Sequence, residues 1–208
     1  MSGCHNLQKK SGFEWQNGDL LFQSEMNDSI SDAIKQVTGR GREMNFSHVG
    51  MLVFLNSGKP VVLEAIRKGV CLTPLDSFLY RSVNLQGKPL CVVGRLKDKF
   101  QPRIPQAIEY GKQLLEAPYD AAYIMNNKSY YCSELIYEMM RHSGDFSEVF
   151  HLKPMTFKDP QTGDFSSTWV EYYRNLGIPI PEGEMGLNPN GMSQSPNIEI
   201  VYNLTQDK

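Results

Sequence analysis

Ser129-Tyr130-Tyr131-Cys132-Ser133-Glu134-Leu135-Ile136-Tyr137 places a cysteine where a polar, turn-prone segment gives way to a periodic apolar run. Leu135, Ile136, Met139 and Met140 share one face of a helix that this pattern carries to near Gly144. Cys132 then sits in the first helical turn, with Ser129 as the expected N-cap. The unpaired N–H groups of that turn and the positive end of the helix dipole favour thiolate over thiol, the setting of a nucleophilic cysteine. The competing reading is a small buried cysteine packed behind a helix, so the assignment depends on partners.

Composition bounds the search for those partners. The chain has 208 residues, 40% hydrophobic and 21% charged, enough for one sizeable core. A single domain is expected over 17–208, with 144–208 as a C-terminal extension over the core and 1–16 as a flexible tether. A net charge of -2 and the lack of a long basic run speak against nucleic acid as the main partner. No run of ~18 apolar residues is present, so nothing in the sequence reads as membrane-spanning. The cysteines at 4, 71, 91 and 132 form no CxxC pair, so neither a structural metal nor a cofactor is expected. Cys71 and Cys91 lie in strand-like apolar runs and read as buried and inert, with a disulfide between them left open. Ser2-Gly3-Cys4 resembles the end of a bacterial lipobox, which would make Cys4 a lipidated membrane tether at the cell envelope; without it a cytoplasmic location stands equally.

Along the chain, Asn17-Gly18-Asp19 leads into a short strand at Leu20-Leu21-Phe22-Gln23. A helix is predicted over 27–38, capped by Asp28 or Ser29, with Ile30, Ile34 and Val37 on one face and Gly39-Arg40-Gly41 at its end. Ser47 to Leu55 and Pro60 to Ile66, joined by Asn56-Ser57-Gly58-Lys59, read as a β-hairpin. Further strands are predicted at Gly69 to Leu72 and Leu90 to Leu96, with a helical turn between them at Leu75 to Tyr80. A helix follows over 105–116, opened by Pro105. Beyond Gly144 come a short helix from Ser167 to Leu176 and a Gly-, Pro- and Asn-rich arm over 177–197. A closing strand runs from Ile198 to Leu204.

A thiol nucleophile needs a base and a group that orients the base. His48 is the best of four histidines, because it opens a buried-looking strand, whereas His5 lies in the tether and His142 and His151 lie near or past a helix end. Glu64 is the only charged side chain in Val61-Val62-Leu63-Glu64-Ala65-Ile66, and a carboxylate in an apolar strand is costly unless paired. If the hairpin pairs residues whose numbers sum to an even value near 114, His48 faces Ile66 and Glu64 points to the same side, one pleat repeat away. A one-residue slip would separate them. Together the three residues suit nucleophilic acyl transfer, with the Cys132 N–H and the Tyr119 or Tyr131 hydroxyl as candidate oxyanion or substrate donors.

Pro118-Tyr119 and Cys132-Ser133-Glu134-Leu135-Ile136 resemble the cysteine segment of NlpC-type cell-wall peptidases. Here the histidine strand precedes the cysteine helix, which resembles the circularly permuted branch containing YiiX/YebB-like proteins and the lecithin retinol acyltransferase group. Phe46-Ser47-His48-Val49-Gly50, Leu63-Glu64-Ala65, Tyr131-Cys132-Ser133-Glu134-Leu135 and Asn17-Gly18-Asp19-Leu20-Leu21-Phe22 fit the YiiX/YebB-like pattern, over about residues 17 to 137. The resemblance implies a permuted papain-like α+β fold, a small antiparallel sheet packed against the cysteine helix. It also implies Cys132 as nucleophile, His48 as base and Glu64 as the orienting residue. The expected activity is a cysteine amidase or peptidase working through a thioester on cell-wall-type peptides. The alternatives are an acyltransferase or lipid hydrolase using the same triad, and a peptide-binding module without turnover.

Overall fold

A computed structural model describes residues 13–25, 29–39, 45–144 and 149–206. Cys4, His5, the tether before Phe13, the proposed cap Asp28 and the Arg40-Gly41 turn lie outside them.

The hairpin forms with the expected register. β2 (His48–Phe54) pairs antiparallel with β3 (Pro60–Ile66), with Met51 opposite Leu63 and Phe54 opposite Pro60. Gly58, with φ 76°, turns the connecting loop in a conformation that L side chains rarely adopt. β1 (Leu20–Gln23) pairs with β2 on one side and with β5 (Cys91–Leu96) on the other; β4 (Gly69–Pro74) extends β3, and β8 (Ile198–Asn203) closes the far edge. The result is a six-stranded antiparallel sheet ordered β4-β3-β2-β1-β5-β8. A separate pair, β6 (Lys153–Pro154) with β7 (Met185–Gly186), lies within the C-terminal part.

Alternation along the strands divides the core between the two faces of this sheet. Leu20, Phe22, Val49, Met51 and Leu63 pack toward α3 (Ile104–Gln113) and α4 (Cys132–Arg141), meeting Ile108, Leu135, Ile136 and Met139. Leu21, Leu52 and Val62 face the other way, against Phe78 and Leu79 of α2 (Leu75–Tyr80) and against Trp15. Each such fully buried Leu, Val or Phe contributes about 1.5–3 kcal/mol. A third, aromatic cluster joins α1 (Ser29–Thr38) to α5 (Ser167–Leu176) through Ala33, Val37, Tyr123, Phe157, Trp169 and Tyr173. On α1, Val37 is buried, and Ile30 and Ile34 pack against the same cluster, as the predicted face requires.

The C-terminal part enters the body of the domain. It supplies β8 to the sheet, Val149, Phe150, Leu187 and Met192 to the main core, and the short helix α6 (Pro189–Ser193). Helices and antiparallel sheet in this order make the mixed α+β architecture expected from the sequence.

Candidate active site

Cys132 is the first residue of α4, where the backbone N–H groups have no intrahelical carbonyl to meet. The N-cap is Tyr131 rather than Ser129: φ -88° and ψ 169° put Tyr131 at the helix boundary, and Glu134 reaches back to accept its N–H at 3.3 Å. The Glu three residues after the cap is the sequence signal that locates this boundary.

His48 opens β2 and is almost fully buried. Its Nε2 meets Glu64 Oε2 at 2.6 Å. Nδ1 is the ring's other nitrogen, and the Cys132 thiol is among the groups that act on this imidazole. The Cys132 Sγ lies 4.0 Å from the Ser47 carbonyl oxygen, so the helix start and the strand start adjoin. Gly50 faces the same side of the sheet as His48 and makes room there. A Cβ at that position would come within 2.4 Å of Val62 Cγ1 and 3.2 Å of Glu64 Cβ.

Two further residues hold Glu64 and were not legible in the sequence. Thr73 Oγ1 and Arg81 Nη2 each donate to its Oε1 at 2.5 Å. Glu64 has no solvent exposure, and burial alone would raise its pKa. The hydrogen bond and charge of His48, the charge of Arg81 and the Thr73 hydroxyl reverse this and lower it to about 2. Burial likewise disfavours charged His48, yet the hydrogen bonds and charges of Cys132 and Glu64 outweigh it and hold the imidazole pKa well above its ordinary value.

The tyrosines differ in their partners. Tyr131 donates to Met125 Sδ at 3.3 Å and accepts from the Leu187 N–H at 3.4 Å, so its hydroxyl is committed on both sides. Tyr119 Oη lies 3.5 Å from Tyr123 Oη. With Tyr123 as the donor in that pair, Tyr119 keeps its proton for another acceptor. Burial pushes the ionisation of both rings upward, so these hydroxyls stay protonated. Beneath the helix start, Glu134 is buried near Asp120; burial, then the charges of Asp120 and Glu138, raise its pKa to about 8 against the pull of the N–H donors.

A cavity of about 380 Å³ opens at Cys132 and Ser47. Its lining comes from α1, the α5 aromatic cluster and the arm, including Ile34, Tyr119, Phe157, Trp169, Leu187 and Met192. His48 and Glu64 do not line it. His151, set aside in the sequence, is an exposed residue of the lining, while His142 stacks on Tyr110 at 3.7 Å on the protein surface. The arm is stitched to residues beside the site. Ser133 Oγ donates to the Leu187 carbonyl at 3.0 Å, and the buried Asn190 Oδ1 accepts the Phe46 N–H at 2.8 Å. Cys71 and Cys91 are free thiols; Cys91 is wholly buried, which raises its pKa.

A helix-start cysteine, a preceding antiparallel strand that opens on histidine, and a buried glutamate on the next strand define a permuted papain-like protein. The chain belongs to the permuted papain-like amidase enzymes of the YaeF/YiiX type, the C92 family, which it matches over residues 14–202. It is similar to the uncharacterized protein YiiX of Escherichia coli strain K12, 29% identical over 193 residues that cover 91% of this chain and 88% of YiiX. The crystal structure of YiiX from Escherichia coli O157:H7, titled a metalloprotein, is similar with a TM-score of 0.73 and 26% identity. That match covers 92% of this chain and 98% of YiiX.

Proposed function

We propose that the chain is a cysteine amidase or peptidase in which Cys132, His48 and Glu64 act as nucleophile, base and orienting residue. The carrying observation is that His48 Nε2 meets Glu64 Oε2 at 2.6 Å while the helix-start Cys132 Sγ lies 4.0 Å from the carbonyl oxygen of the adjoining Ser47. In this reading His48 already holds the thiol proton when the Cys132 sulfur bonds to the substrate carbonyl carbon. The C–N bond then breaks, His48 returns the proton to the departing amine, and a thioester remains. Water, deprotonated by His48, attacks the thioester and restores the thiol. The Cys132 N–H and Tyr119 hydroxyl would serve the developing oxyanion.

The substrates proposed are cell-wall-type peptides, reached at the cell envelope through lipidated Cys4, a residue supported by the Ser2-Gly3-Cys4 sequence alone. A second reading draws on the cavity. Its lining is rich in aliphatic and aromatic side chains; among the described residues it includes no carboxylate, and Lys153 is the one fixed cation. Such a surface suits an apolar acyl group, as an acyltransferase or lipid hydrolase would require. A metal fits the site poorly. No three His, Cys, Asp or Glu side chains among the described residues group to hold one, and both Glu64 oxygens are engaged by His48, Thr73 and Arg81.

Site-resolved mass spectrometry of iodoacetamide labelling tests the reading. Cys132 should label faster than Cys71 and Cys91, and His48→Ala should slow it about tenfold or more, because the thiolate is the nucleophile and loses the cation that favours it. Peptide amides and N-acyl amides offered side by side then separate the two substrate classes. Equal labelling with and without His48 would leave a binding module in place of an enzyme.

A further inference from the structure

A buried glutamate in a triad poses an electrostatic problem. Whenever His48 is neutral, as after it has given its proton to the departing amine, Glu64 has no positive charge from the imidazole, although its side chain is fully buried. An uncompensated buried carboxylate is expensive and takes up a proton rather than stay charged. Arg81 lies where it can solve this. It follows α2 as the C-cap residue, its guanidinium carbon sits 4.5 Å over the Phe78 ring, and its Nη2 donates to Glu64 Oε1 at 2.5 Å. Phe78 also lies 5.8 Å from the His48 ring, so one side chain braces both groups.

We propose that Arg81 is a positioning residue of this site, a permanent cation that keeps Glu64 ionised and turns its Oε2 toward His48 throughout the reaction cycle. The proposal rests on reading Cys132, His48 and Glu64 as a triad. Glu64 divides its two oxygens: Oε1 is anchored by Arg81 and Thr73, and Oε2 is given to Nε2 of His48. Thr73 fixes direction but carries no charge, so it cannot replace Arg81. The other groups that face this pair are Cys71 across the β3–β4 ladder, Cys91 on β5, and Glu25, whose carboxylate lies 4.0 Å from Arg81 Nη1. Glu25 is the more distant carboxylate and partly exposed, which leaves Glu64 as the main recipient of the charge.

The test is the pH dependence of Cys132 labelling by iodoacetamide in the full chain. Arg81→Met should move the acid limb of the profile upward by about one pH unit or more, the shift expected when an adjacent opposite charge is lost. Arg81→Lys, which keeps the charge, should restore most of the shift, and Thr73→Val should produce little. In a Glu64→Gln background Arg81→Met should have no effect, because Arg81 acts through the carboxylate. An Arg81→Met limb at the wild-type position overturns the proposal, as does a shift that persists without Glu64. Arg81→Gln replaces Arg81→Met if the latter does not fold. Failure of both neutral variants to fold, with Arg81→Lys intact, would make Arg81 a folding requirement and also overturn it. If the wild-type Cys132 shows no His48-dependent labelling, the triad itself fails. The Arg81 effect is then read from the His48 ring-proton titration, which should fall in Arg81→Met because Glu64 is no longer held ionised, and an unmoved titration overturns the proposal.

Discussion

Replacing Glu64 by Gln keeps the shape of the side chain and removes its charge, which isolates what the carboxylate does for His48. The two groups meet at 2.6 Å with the Glu64 side chain wholly buried, so solvent screens little of the interaction. An opposite charge at such range shifts a titration by about 1–3 units, or about 1.4–4 kcal/mol. On the Glu64 side burial opposes the charge, yet His48 first, then Arg81 and Thr73, bring the carboxyl down from 4.5 to about 2. The sign differs for the two groups. Glu64 is depressed, so its stabilisation is complete above pH ~4.5 and is lost as pH falls through about 2. His48 is raised, so its stabilisation is complete below pH ~6.5 and is lost as pH climbs through its folded value. The assay follows the ring protons of the four histidines by NMR across pH. In the wild type His48 should titrate well above its ordinary value, and Glu64→Gln should bring it down by about 1–3 units. A His48 that titrates near 6.5 in the wild type, or does not move in the variant, refutes the pairing.

Two more outcomes follow from buried polar groups near the site. Glu134 is raised to about 8, so ionising it costs stability that grows from pH ~4.5 to ~8. Glu134→Gln, which retains an acceptor for the Tyr131 N–H, should therefore raise Tm at pH ~9 and change it little at pH ~5; the same Tm difference at both pH values would contradict this. Asn190→Ala leaves the Phe46 N–H and Thr38 Oγ1 without their partner, at about 1–3 kcal/mol. Hydrogen exchange at Phe46 should rise more than global destabilisation explains, and unchanged protection there would dismiss the contact.

What the sequence made readable depended on the range of the interaction. The β2–β3 hairpin was legible because alternation, turn residues and a short loop act locally, and they give the observed register of Met51 opposite Leu63. That register carried His48 and Glu64 to one face without any tertiary information. The N-cap was misjudged by two residues because Ser129 is the better capping side chain, while Glu134 fixes the boundary at Tyr131. Arg81 gave no signal at all. It follows a six-residue helix and meets Glu64 only because α2 folds back over that face of the sheet.

The arm was recognised as a loop without periodicity, yet its role comes from contacts that no local pattern encodes. Leu187 holds Tyr131 and Ser133, the residues on either side of Cys132. Asn190 holds Phe46, two residues before His48, and Thr38 on the opposite wall of the cavity. One segment therefore holds the chain beside Cys132, the chain beside His48 and part of the cavity wall, which in the proposed reading are the nucleophile, the base and the substrate surface. Reshaping the cavity through the arm would strain the same hydrogen bonds that set the thiol against the imidazole. If the proposed triad acts, reactivity and substrate choice are mechanically coupled in this fold, and substitutions at the cavity wall away from Leu187 and Asn190, such as Ile34 or Phe157, should alter specificity without disturbing Cys132, His48 and Glu64.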